Sequence, residues 1–113
     1  MKQEVPELYG KCPYTTVQRI FSGKWAIIII FHLSGGTLRF GELQRRIPEV
    51  TQAALTKQLR TLEEFGMVNR YVYPEVPPKV EYSLTNIGKD FIPVLKQFEC
   101  FGDKYIAYLN IHK

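Results

Sequence analysis

Thr51-Gln52-Ala53-Ala54-Leu55-Thr56-Lys57-Gln58-Leu59-Arg60 is the stretch whose residue types can do chemistry, and that chemistry is recognition rather than bond breaking. Leu55, Leu59 and Leu62 recur at helical spacing, so they share one buried stripe. At roughly 100° per residue, Ala53, Thr56, Lys57 and Arg60 fall on or near the opposite side. That outer face begins small, turns polar and ends cationic, so it can approach the groove of a polyanion closely. Gln52 can pair bidentately with adenine, and Thr56 can reach a base edge. Lys57 and Arg60 can meet phosphates. Thr51 suits the N-cap, its hydroxyl accepting from an orphan amide of the first turn. Gly66, after Phe65, suits the left-handed position that stops a helix. Alone, such a helix reads more simply as a surface element with solvated charges; its neighbours decide.

Cys12 is the second chemical candidate. It precedes a helix start at Pro13, where a thiolate gains from helix amides and from nearby Lys11. Such a thiol can sense oxidants or electrophiles; the alternative is a packing residue. Cys100 is either a second thiol able to close a disulfide across a dimer or a small core hydrophobe. His32 and His112 are isolated, and no His, Cys or acidic pair has metal-ligand spacing, so no metal and no cofactor is assigned. No nucleotide loop or nucleophile motif is present, and no catalytic residue is named. Glu63-Glu64 is more simply a solvated helix end than a catalytic dyad. A thiol oxidoreductase would need a Cys-x-x-Cys or a cysteine beside a base. The expectation is a non-enzyme.

The 113 residues fit one domain, 1–113, and 45% hydrophobic content excludes a disordered chain. The net charge is +4, from 15 basic and 11 acidic residues. Its distribution is more telling. Arg39 to Arg60 holds five basic residues (Arg39, Arg45, Arg46, Lys57, Arg60) against Glu42 and Glu49, whereas Thr61 onward is nearly balanced. No secretory signal is visible, and the longest apolar run, Trp25 to Phe31, is too short to span a bilayer. A cytoplasmic, reduced protein without membrane contact is expected.

The elements that must position these residues follow in order. Residues 1–11 read as a flexible N-terminus. A short helix runs from Pro13 to Phe21, burying Val17, Ile20 and Phe21. Lys24 to Leu33 has strand-like isoleucines but helical length between glycines, and a helix anchored by Trp25 is preferred. Leu38 to Phe40 suits a short strand at the base of a sheet. Phe40 to Ile47 is a helix burying Phe40, Leu43 and Ile47, ended by Pro48. Met67–Tyr73 and Lys79–Leu84 alternate as strands around Pro74-Glu75-Val76-Pro77-Pro78, a stiff tip. One helix over 85–110, capped by Thr85 and kinked at Pro93, carries two apolar stripes: Ile87, Val94, Phe101 and Tyr108, and beside them Leu95, Phe98, Tyr105 and Leu109. That surface exceeds what one small core can cover. It predicts a homodimer through Phe98, Phe101, Tyr105, Tyr108 and Leu109; the alternative is a helix folded back on its own domain. Helix, turn, helix, hairpin is the order of a winged helix-turn-helix, mainly α with a small β-hairpin wing.

The pieces Cys12-Pro13, Gly23-Lys24-Trp25, Arg39-Phe40-Gly41-Glu42-Leu43, Leu59 through Val68 and Tyr73 through Tyr82 resemble the HxlR-type branch of bacterial MarR-like winged-helix transcription regulators. The resemblance covers Cys12 to about Leu109. It implies a homodimeric DNA-binding repressor or activator, with the helix after Thr51 in the major groove, the hairpin as wing and terminal helices as dimer contact. Some members of that family sense through the N-terminal cysteine.

The expected function is thus regulation of transcription by a homodimer on a roughly palindromic operator of double-stranded DNA. The contact residues would be Arg39, Arg46, Thr51, Gln52, Ala53, Thr56, Lys57, Arg60 and Lys79, with Arg45 and Arg70 as further phosphate candidates. A small-molecule or oxidant effector is a candidate partner, and Cys12 is the redox candidate. The rival is a winged-helix protein–protein interaction module without DNA binding; an acidic or apolar outer face would have favoured it.

Overall fold

Ile29 and Ile30 are fully buried while Ile27 and Ile28 are exposed. That split is a helical one and decides the ambiguous isoleucine run. The computed structural model describes residues 7–112. Its elements are α1 (Pro13–Ile20), α2 (Ala26–Leu33), β1 (Leu38–Arg39), α3 (Phe40–Arg46), α4 (Gln52–Glu64), β2 (Val68–Tyr73), β3 (Lys79–Leu84), α5 (Asn86–Asp90) and α6 (Ile92–Ile111).

The sheet is antiparallel in the order β1-β3-β2. Leu38 and Arg70 flank Tyr82, so the short first strand closes the base of the hairpin as expected. The core lies where α2, α3 and α4 meet the inner face of that sheet, around Ile29, Ile30, Leu43, Leu55, Leu59, Leu62 and Val68. Phe40, Trp25, Ile20 and Phe21 are half-buried at its margin, and Val17 is exposed. Of the strand face Val68, Arg70 and Val72, only Val68 is buried, because the hairpin runs outward past the body.

The single helix expected over 85–110 is two helices. The Thr85 hydroxyl donates to the Gly66 carbonyl (2.5 Å) and accepts from the Gly88 amide (3.0 Å), tying α5 to the chain leaving α4. Gly88 lies so close to the Met67 carbonyl that a Cβ would collide with it. Phe91 then separates the helices, and Pro93 stands in the first turn of α6. There its missing N–H costs nothing, so it starts a helix rather than kinking one. Phe91 stacks on Phe21 at 4.3 Å between ring centroids. Leu95 is the one buried residue of α6. Beyond Leu95 the helix projects, and the radius of gyration is 15.8 Å, against about 13 Å for a compact chain of this length.

The expected loose segment 1–11 lies outside the described residues for 1–6. Residues 7–11 form a turn, in which the Gly10 amide donates to the Thr16 hydroxyl (2.8 Å).

Candidate nucleic-acid interface

Thr51 caps α4 as its type suggests: its hydroxyl accepts from the Ala54 amide at 3.1 Å. At the other end Gly66 takes φ +75°, with the Gly66 amide bonded to the Glu63 carbonyl and the Met67 amide to the Leu62 carbonyl. Between these stops the inner face carries Leu55, Leu59 and Leu62, and also Gln58, which is 7% exposed.

The outer face gathers Gln52, Ala53, Thr56, Lys57 and Arg60 along one shallow depression, with Glu64 at its far end. The Thr56 hydroxyl donates to the Gln52 carbonyl (2.8 Å). Its hydrogen is committed, so toward a base Thr56 is an acceptor, suited to an amino group of cytosine or adenine. Arg60 also borders a groove that it shares with Arg70 of β2, which brings the wing beside α4.

The other basic candidates do not join that surface equally. The Arg39 amide donates to Glu42 Oε1 (2.9 Å) at the start of α3, and Arg39 pairs across strands with Glu81. Arg45 and Arg46 are exposed on the last turn of α3. Burial, then the charge of Arg46, lowers the pKa of His32. Lys79 is held within the wing: its Nζ lies 3.6 Å from Glu81 Oε2 and 4.6 Å from the centre of the Tyr73 ring. Tyr73 donates its hydroxyl to Glu81 Oε1 at 2.6 Å.

Cys12 is half-buried at the N-cap of α1. The amide and hydroxyl of Thr15 hold its thiol below the ordinary range against a smaller opposing effect of burial, and the Tyr14 amide adds least. The donors are these local groups and not Lys11. Cys100 is exposed on α6. Phe98, Phe101, Tyr105, Tyr108 and Leu109 are all exposed on the same helix, as are Tyr14 on α1 and Phe31 on α2.

Gln58 and Lys24 are missing from the sequence-derived site residues. Gln58 had a signal: it fills the gap between Leu55 and Leu62 on the apolar stripe.

Residues 20–109 match the family described as HxlR-like helix-turn-helix. The chain belongs to that family. The HxlR-like chain is 47% identical over 94 residues to the uncharacterized HTH-type transcriptional regulator YdeP of Bacillus subtilis (strain 168), covering 83% of itself and 73% of that relative. It superposes on the redox regulator HypR in its reduced form with a TM-score of 0.82 at 41% identity, covering 88% of this chain and 98% of that one. It also superposes on the reduced form of the transcriptional regulator YodB from B. subtilis, with a TM-score of 0.73 at 33% identity, covering 83% and 93%. HxlR-like proteins are helix-turn-helix transcriptional regulators that bind DNA, not enzymes. Among the described residues, no helix is long and apolar enough to cross a membrane.

Proposed function

We propose that this chain regulates transcription as a homodimer that occupies a roughly palindromic operator, with one α4 in the major groove of each half-site. The carrying observation is the outer face of α4, where Gln52, Ala53, Thr56, Lys57 and Arg60 line one surface free of carboxylates until Glu64. Gln52 and Thr56 read base edges; Lys57 and Arg60 meet phosphates. Arg39, Arg46 and Lys79 have supporting roles, and Thr51 and Ala53 admit the backbone close to the groove. Exposed Phe101 (67%) and Tyr14 (85%), with the aromatic face of α6, support pairing of two copies through the terminal helices. Two-fold pairing sets half-sites about one helical turn (~34 Å) or a little more apart.

Cys12 is the modulating thiol in this reading, supported by its lowered pKa and by the likeness to proteins described as redox regulators. Its oxidation joins it to a second thiol, removing two electrons and two protons that the oxidant takes up. A gel shift with duplex from beside the chain's own gene, with and without diamide, tests both parts. The expected result is a retarded band whose mobility or intensity changes with diamide in the wild type and not in Cys12→Ser. Absence of any retarded band overturns the reading.

A further inference from the structure

A second depression adjoins the outer face of α4 and shares Lys57 and Thr61 with the first. Its other wall is the turn between α1 and α2, contributed by Ser22, Lys24 and Trp25. No carboxylate lines it. Neither Lys24 nor Lys57 forms an ion pair among the described residues, so both face this hollow without a carboxylate partner. The hydroxyls do not supply its donors. Ser22 donates to the Arg19 carbonyl (3.0 Å) and Thr61 to the Lys57 carbonyl (3.1 Å). Beside the Gln58 carboxamide and the Trp25 indole, the charged donors of the hollow are two ammonium groups.

The turn is fixed to the reading helix. Gln58 Oε1 accepts from the Trp25 amide (3.4 Å), and its carboxamide fills the space beside Gly23. Lys24 Nζ lies 4.9 Å from the centre of the Trp25 ring. This cation–π contact biases the lysine stem toward the indole. Lys24 and Lys57 therefore line one hollow, although 33 positions separate them in sequence.

We infer that Lys24 is a DNA-contacting residue: with Lys57 it grips a backbone phosphate of the duplex, flanking the bases that Gln52 and Thr56 read. The inference rests on α4 being the DNA-facing helix. It adds the α1–α2 turn to the interface. Phosphate is the fitting ligand because it carries charge and acceptor oxygens, which two ammonium groups satisfy, and because the hollow continues the surface along which a duplex backbone would pass.

The test is salt-dependent binding of the full chain to a labelled mixed-sequence duplex of about three helical turns. The expected result is that Lys24→Ala weakens binding and flattens the plot of log affinity against log salt by about 0.9. Lys24→Arg keeps the wild-type slope. Lys96→Ala, an equal loss of charge on α6, leaves the slope unchanged. A wild-type slope in Lys24→Ala, or an equal flattening in Lys96→Ala, overturns the inference while leaving the reading of α4 intact. A wild type that shows no salt-dependent binding overturns both. Circular dichroism of each variant establishes that it is folded.

Discussion

The carboxamide of Gln58 occupies the place where Gly23 would carry a Cβ. A polar side chain is thus buried on the inner face of α4 to hold a turn more than thirty residues earlier. Gly23 is needed for room; its backbone is not in the left-handed region. Gly23→Ala is expected to push Gln58 aside, strain the bond to the Trp25 amide and cost about 1–3 kcal/mol. Gln58→Ala leaves that amide without its partner and costs about 1–3 kcal/mol. Because both act on one contact, urea unfolding of the double variant should show less than the sum.

Cys12 should react with iodoacetamide at lower pH than the same thiol in the urea-unfolded chain. The sign follows from the lowered folded pKa. The thiolate's contribution to stability is present above the unfolded pKa and is lost as pH falls through the folded one. Relative to Cys12→Ser, stability should therefore rise with pH across that window. Thr15→Val removes one donor and moves the reactivity midpoint upward. Equal midpoints for folded and unfolded chain would refute this.

Glu81→Gln should tighten non-specific DNA binding at low salt. It removes the carboxylate beside Lys79 and Arg39, freeing two cations for phosphate. The Tyr73–Glu81 bond itself brackets a pH range. Glu81 is depressed, chiefly by the Tyr73 hydroxyl, so its contribution is lost only as pH falls below the usual Glu value of about 4.3. Tyr73 is raised, chiefly by Glu81, so its contribution fades only as pH climbs above the usual Tyr value of about 10. Tyrosine absorbance across an alkaline titration reads the upper edge.

Thr51→Ala should cost about 1 kcal/mol through the lost cap of α4, read by urea unfolding. Lys57→Ala should leave stability within about 0.5 kcal/mol, since Lys57 is exposed, while flattening the salt dependence of DNA binding.

Phe101→Glu should yield a monomer. Light scattering on a size-exclusion column measures the mass, and an unchanged far-ultraviolet spectrum shows that the body still folds. A variant that keeps twice the chain mass would remove α6 from the pairing surface.

The reading helix was legible because three signals agree within it: a cap at Thr51, a stripe through Leu62 and a stop at Gly66. The break at Phe91 was not. Gly88 and Pro93 announce a disturbance, but the tie of Thr85 to Gly66 and the close approach of Gly88 to Met67, which seat the short helix, involve residues about twenty positions earlier. Lys24 was hidden for a different reason. The Ser22-Gly23 sequence reads as punctuation, and the contact that gives the turn a purpose comes from Gln58, far along the chain. Lys79 shows the converse: its place on the wing is plain in the sequence, but the Glu81 carboxylate and Tyr73 ring that hold it are not.

The joint at Phe91 has a geometric corollary for spacing along a duplex. Anchored through Phe91 and Leu95, α6 is a rod of about 30 Å held at one end. A difference of about 5° in its tilt moves the far tip by roughly 2.6 Å, about three quarters of a base-pair step. In the proposed dimer, small differences where two such rods cross would set how far apart the two α4 helices stand.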